Sequence, residues 1–433
     1  MDYQRALDYL YSFLGPQGAP APRPEANLER TSALLAAMGD PQRSLRCVVV
    51  AGTKGKGSTC AMVEAAARAA GMRVGLWTSP HLHSYRERIQ IDRAPLSRDE
   101  LTAAVASAVP LVAELSRSPL GPPVTFAIGF ALALRHFVER QVDLAVVEVG
   151  LGGRYDSAAV LDALVTVCTT ISFDHMELLG ETLPAIAHQK AGIFRPGVSA
   201  ITGPQPPEAL ATLIGEARLV GAPLWSSAPV PGLPTPRLPT GLAGQALGLK
   251  GTFQRENAHL AAATCVLLRG VGLDIPDAAI VAGVAGASWS GRFELVPGDP
   301  PIVLDGAHNG DSARRLIEAL RDEFGDRPIT FVFGTSRDKD LARIVPPIGA
   351  AAATVVLTYS RHPRSWSDLP ALRDVVRPWL AADAAIASAD EVADALALAT
   401  RLAGRGGVVC VTGSLFVVAA AREALGLAGE ADP

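Results

Sequence analysis

The segment Arg46 to Leu82, RCVVVAGTKGKGSTCAMVEAAARAAGMRVGLWTSPHL, restricts the fold more than any other part of the chain. Its β-branched run, Cys47 to Val50, reads as a strand buried on both faces. A glycine-punctuated loop follows, Gly52-Thr53-Lys54-Gly55-Lys56-Gly57-Ser58, and then an alanine-rich helical stretch to about Ala70, stopped by Gly71. Strand, glycine-rich loop and helix in that order predict a phosphate cradle. Glycines let backbone N–H groups approach phosphate oxygens, and the helix N-terminus adds partial positive charge. The loop departs from the usual P-loop pattern, which puts Lys directly before Ser or Thr, because Gly57 separates Lys56 from Ser58.

A chain of 433 residues exceeds one core of ordinary size, so two or three domains are expected. The net charge of −4 and the lack of a basic, aromatic-interleaved patch argue against a nucleic-acid partner. The five cysteines, Cys47, Cys60, Cys168, Cys265 and Cys410, are scattered without CxxC or Cys/His spacing. They read as reduced core thiols of a cytoplasmic enzyme. The N-terminus MDYQRALDYLYSFLG is an amphipathic helix and not a secretion signal. No apolar run reaches membrane-spanning length.

Along the chain, the Pro-rich loop Gly15 to Pro24 separates the first helix from a second around Leu28 to Met38. After the phosphate loop, Val74 to Thr78 reads as a buried strand ending in Ser79-Pro80-His81. Helices follow near Arg98 to Leu115 and Thr125 to Glu139. Strands Leu144 to Val149 and Val165 to Ile171 come next, then a helix through Ala185 to Lys190. Pro223 to Gly251 reads as irregular loops with short β structure, and helices return at Glu256 to Arg269 and Asp277 to Ala285. Near Trp289 to Pro301 the pattern resets, with SGRFELVPGDPP as a linker. Beyond it strands Ile302–Leu304, Ile329–Phe333, Thr354–Thr358 and Val408–Val411 alternate with helices including Ser312–Phe324 and Leu415–Leu425. The fold class is therefore α/β: a P-loop parallel-sheet ATPase domain, residues 1–290, followed by a smaller Rossmann-like α/β domain, residues 291–433.

Chemistry-bearing residues gather at the C-terminal ends of these strands, where open α/β sheets bind ligands. Glu148 ends an otherwise apolar strand, and a buried carboxylate needs a partner or a metal. With a phosphate loop upstream, a magnesium ligand is favoured over a structural salt bridge, since Mg²⁺ binds through few carboxylates plus phosphate and water. Asp174-His175 and Ser79 lie at strand ends on the same face, and metal or phosphate contact is favoured for His175 over simple packing. Lys190, in HQKAGIF, reads from its neighbours as a snorkelling surface lysine. Its other reading needs desolvation, since an ammonium with a pKa of about 10.4 is no nucleophile. In the second domain, LDGAHNGDSARR puts Asp305, His308 and Asn309 on a strand-to-helix loop. Arg292 lies in the linker with phosphate-binding geometry in reach, and Gly413-Ser414 opens the last helix.

The ordered set VAGTKGKGST, TSPHL with RERI, VEVGLGGRYD, SFDHMELLG with HQKAGIFRPG, FQRENA, SGRFE, LDGAHN, FGTSRDKD and VTGS resembles the folylpolyglutamate synthase/dihydrofolate synthase branch of the Mur ligases over nearly the whole chain. The resemblance implies ATP-dependent ligation of a pteroate or folate carboxylate to the amine of L-glutamate through an acyl phosphate. It implies that residues Gly52 to Ser58 cradle ATP, with Lys56 on the transferred phosphoryl group. Ser79, Glu148, His175 and Lys190 would hold Mg²⁺, as two ions, with Lys190 carbamylated, which overturns the surface reading of that lysine. Asn257, Arg292 and Asp305 would contact ATP, and His308 and Ser414 would lie near glutamate. Lys56, Lys190, His175 and His308 would be the catalytic set. Thr125, Phe126, Tyr155, Asp156, Ser157, His308 and Ser414 would bind substrate, either dihydropteroate or a reduced folate together with L-glutamate. The family expectation is a monomer.

The chain departs from the family on the pterin side. GLGGR continues as Tyr155-Asp156-Ser157-Ala158-Ala159 without the usual Asn, Thr125-Phe126 lacks a following acid, and Gln189 replaces a Glu before Lys190. Two other readings compete with this one: a Mur-type ligase for a non-folate acceptor, and a non-catalytic ATP-binding relative. Residues 1 to 45 are too few for the uridine-nucleotide domain the first expects, and the intact Lys56, Glu148, His175 and Lys190 argue against the second.

Overall fold

The β-branched run after Arg46 is β1 (Cys47–Ala51), all five residues buried, in the interior of an eight-stranded sheet. The other strands are β2 (Val74–Trp77), β3 (Ile89–Ile91), β4 (Ala94–Pro95), β5 (Leu144–Glu148), β6 (Ala163–Cys168), β7 (Ser199–Thr202) and β8 (Leu224–Ser226), in the spatial order β4-β3-β2-β5-β1-β6-β7-β8. Every pairing is parallel except β2–β3 and β3–β4. A parallel strand covered on both faces needs apolar residues at successive positions, which is why CVVVA and LAVVE carry them. The model is a computed structural model that describes residues 1–14 and 23–432. Residues 15–22 of the expected Pro-rich loop lie outside the described residues.

Among the described residues, ten α-helices accompany this sheet: α1 (Tyr3–Tyr11), α2 (Ala26–Ala37), α3 (Lys56–Ala69), α4 (Arg98–Arg117), α5 (Thr125–Glu139), α6 (Met176–Leu179), α7 (Leu183–Ala191), α8 (Pro207–Val220), α9 (Thr252–Gly270) and α10 (Asp277–Gly286). Gly71 takes φ +85° just past α3, the left-handed stop its position predicts. α4 starts in a capping box between Ser97 and Glu100.

The second sheet contains β9 (Glu294–Val296), β10 (Ile302–Leu304), β11 (Ile329–Phe333), β12 (Ala352–Leu357), β13 (Ala385–Ser388) and β14 (Val408–Thr412), in the order β13-β12-β11-β14-β10-β9. Only β9–β10 is antiparallel. Its helices are α11 (Gly310–Phe324), α12 (Leu341–Ala351), α13 (Leu369–Val376), α14 (Val392–Ala403) and α15 (Leu415–Ala424). Alternate strand residues feed two cores: Val303, Phe331, Phe333, Val355 and Cys410 on one face, and Leu304, Val332, Val356, Val409 and Val411 on the other.

By contact density the chain forms two compact units, Met1–Leu247 with Glu256–Ala287, and Gly248–Arg255 with Ser288–Asp432. The division passes through α9 between Arg255 and Glu256.

Two local expectations are corrected, and one stretch gains elements. β6 ends at Cys168 and not at Ile171, because its last parallel partner is Ala51, where β1 gives way to the phosphate loop. The SGRFELVPGDPP stretch is not wholly linker: Glu294–Val296 pairs with β10, with Phe293 buried in the core beside it. Residues 198–222, left unassigned by the sequence, hold β7 and α8; a four-residue strand is too short to display a period.

Candidate active site

The phosphate loop is shaped by backbone contacts that only glycine permits. Gly52 has φ +144°, and a Cβ there would stand 1.8 Å from Thr169 Oγ1. Gly55 has φ +88°, and a Cβ there would meet Asn257 Oδ1 at 2.3 Å, so α9 lies against the loop at the position expected to contact ATP. The N–H groups of Thr53 and Lys54 both donate to Thr170 O, at 3.0 and 3.2 Å. Thr53 Oγ1 donates to Ser172 O and accepts from Ser172 N, each at 3.1 Å. An α-helix leaves its first-turn N–H groups without i−4 carbonyls, and here these belong to Lys56, Gly57 and the buried Ser58. Lys54 is engaged sideways: its ammonium lies 2.8 Å from Asp174 Oδ2.

Two lysines converge on one carbonyl. Lys56 Nζ donates to Gly52 O at 3.2 Å and Lys190 Nζ donates to the same oxygen at 2.8 Å. Lys190 is only 3 % exposed, which corrects its reading as a snorkelling surface residue. Burial, then the nearby positive charge of Lys56, lowers its pKa to about 7. Its place is set by tight backbone packing. A Cβ on Gly153 would stand 2.8 Å from Lys190 O, and one on Gly192 would stand 2.2 Å from Arg154 Cα. Glu148, buried at the end of β5, accepts the Ser79 N–H at 3.1 Å. His175 begins α6 with φ 48°, and its side chain is 48 % exposed, with ring nitrogens 3.9 and 4.0 Å from Asp174 and Glu177. Among the described residues, no group of three or more His, Cys, Asp and Glu is placed to hold a metal ion.

In the second unit, Asp305 leaves the end of β10 and accepts N–H groups of Phe293 (2.8 Å) and Ala307 (2.9 Å). Burial raises its carboxyl pKa, opposed first by the Arg292 guanidinium. His308 Nδ1 is 2.7 Å from Gly306 O, and the His308 backbone N–H donates to Ser312 Oγ at 3.1 Å. Ser414 caps α15, accepting the Phe416 N–H at 3.2 Å. The Gly413 N–H donates to Ala307 O at 3.0 Å, so the His308 loop and the Ser414 turn are tied together.

A phosphate loop in one unit and an Asp-His loop with a helix cap in the other define what a relative must share. Residues 50–201 match the Mur ligase middle domain, and residues 291–415 match the Mur ligase, glutamate ligase domain. The dihydrofolate synthase/folylpolyglutamate synthase of Bacillus subtilis (strain 168) is 34 % identical over 418 residues, covering 92 % of this chain and 94 % of that protein. The chain belongs to the dihydrofolate synthase/folylpolyglutamate synthase family. Mycobacterium tuberculosis folylpolyglutamate synthase, solved with ADP and AMPPCP, is similar with a TM-score of 0.85 at 31 % identity, each chain covered in full (100 % and 100 %). Escherichia coli FolC in complex with DHPP and ADP gives a TM-score of 0.80 at 29 % identity, covering 98 % of each chain.

In this folylpolyglutamate synthase relative, the residues expected on the acceptor side differ in accessibility. Thr125 is buried, donating through Oγ1 to Leu10 O at 2.6 Å, and Ser157 is fully buried with its hydroxyl 3.0 Å from Thr31 Oγ1. Phe126 is part-buried, its ring edge-on to Trp77 at 5.3 Å. The Tyr155 carbonyl accepts from Asn27 Nδ2 at 2.8 Å. Asp156 accepts N–H groups of Gly150, Leu151 and Ala158 and so folds the GLGGRYD loop. The sequence reading missed Thr169 and Thr170, which frame the phosphate loop, and the Arg154–Glu216–His188 cluster beside α7. Arg154 Nη2 is 2.6 Å from Glu216 Oε2, and His188 Nδ1 is 2.7 Å from Glu216 Oε1. Nothing local signals such pairs, because their partners are distant in sequence. All five cysteines are buried thiols, and among the described residues no helix is long and apolar enough to cross a membrane.

Proposed function

We propose that the chain activates a pterin-bearing carboxylate on ATP's γ-phosphate and joins it to L-glutamate. The chain is an ATP-dependent ligase that adds glutamate to a folate-type acceptor. The acceptor carboxylate attacks the γ-phosphorus, ADP leaves, and an acyl phosphate forms. The glutamate amine then attacks the acyl carbon, loses a proton, and expels inorganic phosphate to leave an amide. Such chemistry asks the protein mainly for positioning and for stabilisation of developing negative charge.

Residues 1–290 would carry ATP and residues 291–433 the glutamate step. The first-turn N–H groups and Lys56 meet the phosphates, with Asn257 at the Gly55 edge of the loop. Arg292 and Asp305 would contact ATP, and His308 and Ser414 would lie near glutamate. Phe126 and Tyr155 would face the acceptor, with Thr125, Asp156 and Ser157 supporting them from within. The donor set fits Mg²⁺: Glu148 is a buried carboxylate at the end of β5 whose Oε2 accepts the Ser79 N–H, and a carboxylate oxygen together with phosphate is what this ion takes. Ser79, Glu148, His175 and Lys190 would hold it. Bound Mg²⁺ would offset charge on the transferring phosphoryl group. Lys190 fits carbamylation, since a pKa near 7 leaves much of the amine neutral. Its nitrogen adds to the carbon of CO₂ and loses a proton, giving an anionic oxygen ligand. The observation that carries the reading is the convergence of Lys56 and buried Lys190 on the Gly52 carbonyl.

The test is phosphate release with product mass, from purified protein given ATP, Mg²⁺ and L-glutamate, with dihydropteroate in one tube and tetrahydrofolate in another. A glutamyl mass gain is expected, and its pattern across the tubes separates the synthase from the polyglutamylating activity. ATP binding without turnover on either acceptor would overturn the folate reading and direct attention to Tyr155–Ala159.

A further inference from the structure

We propose that Glu294 and Arg422 form a positioning pair for Arg292, the linker arginine that the reading above assigns to ATP; the inference rests on that assignment. The turn carrying Arg292 is pinned at four points within the second unit. The Gly291 N–H donates to Glu294 Oε2 at 2.8 Å, and the Gly306 N–H donates to Gly291 O at 3.0 Å. The Phe293 N–H donates to Asp305 Oδ2 at 2.8 Å. The other Glu294 oxygen, Oε1, pairs with Arg422 Nη1. Phe293 meanwhile adopts φ +45°, a backbone conformation rare for a bulky residue, with its ring buried in the core. A strained residue flanked by several fixed points is what holds a neighbouring side chain in one place.

Arg422 makes the arrangement stand out. It sits in the apolar helix LFVVAAAREA, is only 8 % exposed, and sends its second nitrogen to Leu427 O at 2.7 Å. For stability alone, a well-packed apolar residue does as well as a buried ion pair, or better. A buried guanidinium that meets the acid two residues after Arg292 is better accounted for by alignment. The Arg292 side chain itself lies against Gly306. Its Nη1 is 3.4 Å from Gly291 O and 2.8 Å from where a Cβ on Gly306 would stand. α15 is capped by Ser414 and carries Arg422 in its last turn, so one helix links the Ser414 cap to the arginine turn.

The experiment is a double-mutant cycle on the full chain. Glu294→Gln, Arg422→Met and Arg422→Lys are each made in the native background and in Arg292→Ala. Readouts are kcat and KM for ATP, with thermal melting to verify folding. Misplacement of a positioned group by about 1 Å can cost a hundredfold, so Glu294→Gln and Arg422→Met are expected to lose about 10- to 100-fold in kcat/KM for ATP. Arg422→Lys is expected to recover most of it. In the Arg292→Ala background the same substitutions are expected to add less than about twofold, because they act through the missing side chain. Full additivity of the losses would assign the pair a separate structural role and overturn the proposal. So would native-like kinetics in Glu294→Gln alongside a defective Arg292→Ala. If Arg292→Ala leaves ATP turnover intact, the assignment of Arg292 itself fails and the proposal falls with it. Should Glu294→Gln not fold, Arg422→Met decides by the same comparison.

Discussion

Asp156 couples the GLGGRYD loop to pH. Burial pushes its carboxyl up to about 6 from the usual 3.8, opposed first by the Ala158, Leu151 and Gly150 N–H groups. The folded chain therefore binds this proton more tightly than the unfolded chain between those two values. Stability contributed by the protonated acid is present at low pH and falls as pH rises through that window, with a slope of at most about 1.4 kcal/mol per pH unit. Asp156→Asn is expected to flatten this segment of the pH profile, read from urea midpoints between about pH 4 and 7; an unaltered slope would mean that Asp156 titrates normally. At this scale Asp156 was visible in the sequence as one residue of a motif, but its burial was not. Lys190 makes the same point: HQKAGIF resembles a surface turn, and only the packing of Gly153 and Gly192 against its neighbours takes it out of water.

Between elements, the phosphate loop depends on how closely α3 is held. Gly283 of α10 lies against α3 so tightly that a Cβ would stand 2.4 Å from both Ala66 Cα and Ala66 N. Gly283→Val must push α10 off α3, an overpacking that costs about 1–3 kcal/mol. Because α3 carries Lys56 and Ser58 at its N-terminus, the variant is expected both to melt earlier and to show a raised KM for ATP. Earlier melting with an unchanged KM would show that the loop is insulated from this contact. Strongly periodic or fully apolar elements were legible before any fold was known: α5, β10 and β11 occupy the ranges their residues predict. The short pieces were not. β7 spans four residues, and β9 becomes a strand only because β10 offers it an antiparallel edge.

For the molecule as a whole, each unit has its own sheet and apolar core, so each is expected to unfold with its own ligand dependence. A ligand that binds only the folded first unit at a hundred times its Kd stabilises it by about 2.7 kcal/mol. ADP at that level is expected to raise the melting transition of the first unit by roughly 5–10 °C, followed by scanning calorimetry. Lys56→Ala is expected to abolish most of that rise; an equal rise in the variant would place the nucleotide elsewhere. The order of motifs along the chain was sufficient to determine an α/β architecture, a glycine-rich loop between β1 and α3 and the ligase family, because strand periodicity and loop chemistry are properties of neighbouring residues. Only the tertiary structure decided that Lys190 is buried on the Gly52 carbonyl, that Lys54 turns to Asp174, and that Arg422 reaches Glu294. Burial and pairing of this kind join residues from distant parts of the chain, and a carboxylate, ammonium or guanidinium takes its chemistry from the dielectric and partners that folding brings to it.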